Sequence, residues 1–375
     1  MKAPLVVFGE DWGGHPSSTQ HLVRRLAAER DVVWVNSIGL RRPTLTRADF
    51  ARLGRKLRGV TPKSTAVTAP KPDRLTVVDP RAIPWPGQPI ARRLNRQLLG
   101  RQVRQALEQR NLDHPILWTS LPTAVDVVGE LGERGVVYYC GDDFGALAGV
   151  DHAPVMALEH ELAECADLVL AASRKLADRF ETKKTALVPH GVDFDLFAAG
   201  GERPAELPAD TPIAGFYGSL SDWIDVDLLA GVAARMPEWQ FALIGPVRTD
   251  VSRLSGTPNV RLLGEMPHAR LPAFVANWTV SLLPFRDNDQ IRACNPLKLR
   301  EYLAGGTPVV STEFPALDGY RDHVRVAVDP DSFAGAIRAA ADEPPTKRDL
   351  RRRQVADESW DARAAQVDEL LDRFA

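Results

Sequence analysis

Lys298 and Glu301 stand three residues apart in the stretch Asn295-Pro296-Leu297-Lys298-Leu299-Arg300-Glu301, and their types and spacing suggest chemistry. Asn-Pro at the head reads as a helix start: Asn295 caps free N–H groups, and Pro296 at the first helical position loses no hydrogen bond. Gly305-Gly306 stops the helix and Pro308-Val309-Val310-Ser311 opens a strand. At a three-residue step Lys298 and Glu301 share one face, while Leu299 and Leu303 supply the buried one. Open amides around Asn295, Pro296 and Leu297, with the Lys298 ammonium beside them, suit a phosphate. An ionised carboxylate only accepts hydrogen bonds, so Glu301 suits a sugar diol one turn deeper. Together they would hold a nucleoside diphosphate by both ends.

The same stretch resembles the donor-site helix of the retaining, GT-B-fold glycosyltransferases of family 4, whose signature ends in Glu followed by Ala-x-Gly-x-Pro-Val-Val. The resemblance implies that Glu301 holds the ribose hydroxyls of a nucleotide sugar. The family often carries an earlier Glu eight positions upstream, against the sugar, and Ala293 stands there in this chain. The family also has a glycine after the first strand of its second domain, matched by Gly218, followed by Arg and Lys for the diphosphate. Here Ser221-Asp222-Trp223-Ile224-Asp225 follows instead, so Lys298, Arg286 and Arg292 are the candidates for the phosphate charge. Lys298 leads because it lies on the motif helix.

Asp-x-Asp occurs at 193–195, 225–227 and 287–289, a pattern that holds a metal in another glycosyltransferase fold. In a chain with 49 acids three matches carry little weight, and cations with helix amides can do a metal's work. No metal and no cofactor is expected, the nucleotide sugar being a co-substrate.

Positioning these residues takes two sets of alternating strands and helices. Leu5–Gly9 reads as a strand, Glu10–Pro16 as a loop, Ser17 or Ser18 as the cap of a helix, and 31–36 as the next strand, which opens a doubly wound sheet. Gly9, Gly13 and Gly14 lack dinucleotide-fingerprint spacing. The resemblance places the Gly13-Gly14 backbone against donor sugar or acceptor, and a tight turn without ligand would look the same. A helix is expected from Pro122, and strand 136–140 ends at Gly141-Asp142-Asp143, where parallel sheets gather ligands. Asp142 stands near the position of a family His that touches the donor sugar, so Asp142 and Asp143 join Lys298 as catalytic candidates; capping of the following helix by one Asp is the alternative. Val188-Pro189-His190-Gly191-Val192-Asp193 resembles the family's crossover turn, with a structural role for His190. A Pro- and Gly-rich linker at 198–212 then separates domains 1–197 and 208–356. The alternation reads as α/β with two Rossmann-like domains, and the resemblance implies that they face a cleft (GT-B), with a last helix within 357–375 crossing back to the first.

Composition agrees with an ordinary soluble protein of about two domains: 44% hydrophobic, 26% charged. Three widely spaced cysteines indicate a reducing compartment, no apolar run spans a bilayer, and no signal-peptide core precedes the first strand, so a cytoplasmic place is expected. Net charge is −2, yet residues 41–110 hold 17 Lys/Arg against 4 Asp/Glu. Such asymmetry points to an anionic partner. Within Arg47–Val60, Phe50, Leu53, Leu57 and Val60 form an apolar stripe edged by Arg52, Arg55, Lys56 and Arg58, as in a helix lying on the inner face of an anionic membrane; packing on the sheet is the other reading. Nucleic acid is not expected, since no aromatic residues interleave with these charges.

The resemblance implies transfer of a sugar, with retention, from a nucleotide-diphosphate sugar to a glycan, glycolipid or small-molecule acceptor. A sugar-nucleotide epimerase of the same fold and a non-catalytic nucleotide-sugar binder are the rivals.

Overall fold

A computed structural model describes residues 2–14, 17–37, 71–83, 85, 88–146 and 152–375; the Arg47–Val60 stripe lies outside them. The chain divides into two compact units, Met1–Pro189 with Arg363–Ala375, and His190–Ala362.

The first unit holds seven parallel strands: β1 (Leu5–Phe8), β2 (Val32–Val35), β3 (Leu75–Val78), β4 (Ile116–Thr119), β5 (Gly135–Cys140), β6 (Leu168–Ala171) and β7 (Thr185–Leu187). Their order is β3-β2-β1-β4-β5-β6-β7. Every residue of β1, β2, β4, β5 and β6 is buried, as continuous Val/Leu/Ile-rich strands covered on both faces must be. Ser17 caps the Ser18–Leu26 helix, its hydroxyl accepting from the Gln20 N–H at 3.2 Å. The helix expected from Pro122 is instead a six-residue 3-10 turn, Pro122–Val127, ended where Val128 turns extended. The chain end belongs to this unit: buried Arg30 pairs with Asp368 at 2.8 Å and Asp372 at 3.2 Å.

The second unit holds β8 (Ile213–Tyr217), β9 (Gln240–Ile244), β10 (Val260–Gly264), β11 (Val280–Leu283), β12 (Val309–Ser311) and β13 (Val324–Val326) in the order β10-β9-β8-β11-β12-β13. In both sheets the order in which strands are added reverses beside the first strand, between β1 and β4 and between β8 and β11, and doubly wound sheets open their ligand crevices at such switch points. The linker-like 198–212 stretch lies inside this unit, and residues preceding it already pack there: Val192 N–H donates to Glu358 O at 2.9 Å and Phe197 is fully buried. Among the described residues no helix is long and apolar enough to cross a membrane.

Candidate functional site

In the second unit the Leu297–Gly305 helix runs between β11 and β12, with Leu299 and Leu303 fully buried. Its start differs from the sequence reading. Pro296, at φ −70° and ψ 123°, is itself the N-cap, and no side chain caps the helix. Asn295 is engaged elsewhere: its Oδ1 accepts from the Arg300 guanidinium. Arg300 is buried, reaches Glu358 Oε2 at 2.6 Å and lies over the Tyr320 ring at 5.4 Å. Asn295 therefore anchors the approach to the helix rather than capping it. The opening amides of Leu297 and Lys298 remain without a side-chain cap, as a helix-terminal anion site requires. Gly306, left-handed at φ 75°, ends the helix.

Lys298 lies across Gly218 at the end of β8. A β-carbon built on Gly218 would fall 2.2 Å from Lys298 Cε and 2.9 Å from Nζ. Among the described residues no hydrogen bond or ion pair reaches this ammonium. Desolvation lowers its pKa, against the opposing pull of Glu301 and Cys294. A cation so placed gains by meeting an anion.

Glu301, one turn on, is 8% exposed. Its Oε1 accepts from His268 Nε2 at 2.9 Å and its Oε2 from the Tyr217 hydroxyl. Burial would raise the Glu301 pKa, but these hydrogen bonds, the His268 charge and Lys298 outweigh it and hold the carboxyl below its ordinary range. Burial likewise opposes protonation of His268, and Glu301 with Asp193 more than offsets it, raising that pKa. Burial beside Glu301 drives the Tyr217 pKa well upward, so this phenol stays a donor. Sequence reasoning missed His268 and Tyr217. They lie 33 and 84 residues from Glu301, and the available signal was their position at strand ends: Tyr217 closes β8, and His268 follows β10 by four residues.

Arg286 follows β11, exposed and unpaired among the described residues, its N–H donating to Trp223 O at 2.8 Å. Arg292 is withdrawn from the candidates because Asp287 holds it through two hydrogen bonds, at 2.7 and 2.8 Å. The Asp-x-Asp acids have local work too. Asp225 caps the Val226–Ala234 helix at Leu228 N–H, 2.9 Å away, Asp227 pairs with Arg253, and Asp289 pairs with Arg292.

In the first unit, Gly13 and Gly14 sit in the loop after β1. Gly13 needs its positive φ of 76°, and its N–H donates to Gln20 Oε1 at 3.1 Å. Trp12 packs edge-on against Trp34 at 4.9 Å under the Arg24 guanidinium, which fixes the loop. Past β5, Asp142 and Asp143 separate in role. Asp143 accepts from Arg179 at 3.1 Å and from Gly145 N–H at 3.0 Å, so a structural turn occupies it. Asp142 is exposed as a residue, but desolvation of its carboxyl end, with Asp143 and Glu10 as like charges nearby, raises its pKa.

Two doubly wound parallel sheets, with a cation and a buried carboxylate on a helix at the second switch point, make an architecture of the GT-B kind. Residues 211–343, within the second unit, match the family model described as Glycosyl transferases group 1. A curated relative, the putative teichuronic acid biosynthesis glycosyltransferase TuaH of Bacillus subtilis, is 28% identical over 202 residues, 48% of this chain. That match spans about half of the relative's own length, 51%. Among solved structures, sucrose-phosphate synthase from Thermosynechococcus elongatus superposes with a TM-score of 0.72 at 20% identity over 99% of both chains. Anabaena HepE in complex with UDP and glucose gives 0.69 at 14% identity, again over 99% of both. At these identities the solved structures establish the fold, which is GT-B.

Proposed function

We propose that this chain is a retaining glycosyltransferase that takes its sugar from a nucleoside-diphosphate donor. The observation that carries the reading is the unpaired, desolvated Lys298 ammonium lying over Gly218, beside uncapped helix amides and one turn from Glu301. In this reading the amides of Leu297 and Lys298 and the Lys298 ammonium take the diphosphate, and Glu301 takes the ribose diol. Arg286, on the loop after β11, adds charge at the same sheet edge. The Gly13-Gly14 backbone and Asp142 serve the donor sugar or the acceptor.

Catalysis then rests on positioning and on stabilising the departing diphosphate, whose oxygen takes the acceptor's proton as the new bond forms on the same face. No divalent ion is needed, because Lys298 and the helix amides supply the compensating charge. HepE's complex with UDP and glucose favours uridine donors as the first to test. The name of the Bacillus subtilis relative favours a glycan acceptor. The basic excess over residues 41–110 favours an acceptor, or a docking surface, that is anionic; co-sedimentation with phosphatidylglycerol vesicles, lost at high salt, tests the membrane form of that idea.

The deciding experiment is incubation with radiolabelled nucleotide sugars without acceptor. Slow release of nucleoside diphosphate, lowered about a hundredfold or more by Lys298→Ala, is expected. A new sugar nucleotide would mark an epimerase, and binding without turnover a binder.

A further inference from the structure

Glu301 is the only carboxylate on its helix, and both of its oxygens already receive a hydrogen bond from the chain. His268 supplies one from the start of the 3-10 turn His268–Arg270, on a connection distant in sequence from the Glu301 helix. The imidazole is held in place: its ring meets Phe197 edge-on at 5.7 Å, and Phe197 stacks on Tyr217 at 6.4 Å. Tyr217 in turn meets Tyr302 edge-on at 5.2 Å, and its backbone N–H donates to the Tyr302 hydroxyl at 3.1 Å. Four residues from four elements thus fix one carboxylate.

A carboxylate oxygen has room for two donors. With one site on each oxygen filled by His268 and Tyr217, one site on each remains, on two oxygens joined through a single carbon. A vicinal diol presents two O–H donors at a matching separation; a single hydroxyl can use only one. We infer that His268 is a positioning residue which holds Glu301 for a vicinal diol and so makes the site selective for ribonucleotides over 2′-deoxyribonucleotides. This rests on the reading of Glu301 as the ribose contact. The groups facing the pair are Asp193 near the imidazole, and Lys298 and Tyr217 near the carboxylate. The raised His268 pKa accords with a donor that keeps its proton toward Glu301.

The test is calorimetric titration with UDP, GDP and ADP and the 2′-deoxy form of whichever binds, in wild type, Glu301→Ala, His268→Ala and His268→Gln. Wild type should prefer the ribose form at least tenfold, the span of one charge-assisted hydrogen bond. Glu301→Ala should abolish the preference, and His268→Ala should reduce it severalfold while leaving affinity for the deoxy form nearly unchanged. His268→Gln, whose amide can donate, should restore part of it. If Glu301→Ala removes the preference but neither His268 variant does, or if His268→Ala weakens both ligands equally, the His268 assignment is overturned and the Glu301 reading stands. If Glu301→Ala leaves the preference intact, or no nucleotide binds, the Glu301 reading itself falls and the inference with it. Should His268→Ala not fold, the wild type decides: the His268 imidazole nitrogen resonances should move more with the ribose form than with the deoxy form, and equal shifts overturn the proposal.

Discussion

Gly218 is where Lys298 rests: at φ 137° the glycine leaves a gap that the Lys298 methylene end fills, 2.2 Å from where a β-carbon would stand. Gly218→Ala should therefore act twice. The left-handed φ costs on the order of 1–3 kcal/mol for a non-glycine residue. The added methyl also forces the flexible Lys298 end away from its place. Thermal unfolding should show a modest loss, and titration with a nucleoside diphosphate should show a larger loss than titration with the bare nucleoside.

Glu301 couples binding to stability, because removing it strands two donors. In Glu301→Ala the Tyr217 hydroxyl and His268 Nε2 lose their acceptor, and a buried unsatisfied group costs about 1–3 kcal/mol. Glu301→Gln keeps the shape and one acceptor, so denaturant midpoints should rank wild type above Gln above Ala. Donor affinity should fall in both by at least tenfold, the scale of one charge-assisted hydrogen bond.

The His268–Glu301 pair predicts a stability window in pH. The His268 pKa is raised above its ordinary 6.5, so its contribution is complete below that value and is lost as pH climbs through the folded-state pKa. The Glu301 pKa is depressed below 4.5, so its contribution is present above that value and is lost as pH falls through the folded-state pKa. The stability difference between wild type and His268→Gln should thus be largest between about pH 5 and 6 and shrink as pH climbs through the raised His268 pKa, measured by urea unfolding at each pH.

Local pattern carried much of this architecture. The doubly wound alternation, the strand runs of Val and Leu, and the Lys298–Glu301 step are all visible within a few residues. What was not visible came from long-range contacts. Asn295 in an Asn-Pro pair has cap chemistry, and only the buried Arg300 guanidinium five residues on diverts it. Asp143 looked as available as Asp142 until Arg179, 36 residues later, claimed it. The helix Pro330–Ala341 had a local signal that went unread, since Asp329-Pro330 with Ser332 forms a complete capping box. Strand β13 is three residues long, too short to show any period.

Arg300 and Glu358 make a buried ion pair, with side chains 4% and 19% exposed. Tyr320 donates to the same carboxylate, at 2.7 Å and 2.9 Å to its two oxygens. Breaking such a pair from one side leaves a charge in a poor solvent, at a cost of about 3–5 kcal/mol. Glu358→Ala should approach that loss in a urea titration, and Glu358→Gln, which keeps an acceptor, should lose less. Because Arg300 also holds Asn295 just before the uncapped amides, nucleoside diphosphate binding should weaken in Glu358→Ala even where the protein remains folded.

Lys298 separates two ways of neutralising a diphosphate. A metal needs acids free to ligate it, and at 225–227 and 287–289 the Asp-x-Asp residues are committed to a helix cap and to arginines. Lys298, by contrast, is desolvated and has no ion-pair partner among the described residues. The charge at the leaving group should therefore come from Lys298 and the helix amides, whose influence is strong where water is excluded. Donor hydrolysis should persist in EDTA at its rate in magnesium, while Lys298→Ala lowers it by a hundredfold or more, the scale on which one preorganised donor at a developing negative charge acts. Lys298→Arg should recover only part of the rate, since a bulkier guanidinium would have to shift from where the Lys298 end packs against Gly218. Loss of activity in EDTA with recovery in manganese, or a Lys298→Ala enzyme of near wild-type rate, would return the diphosphate to a metal site.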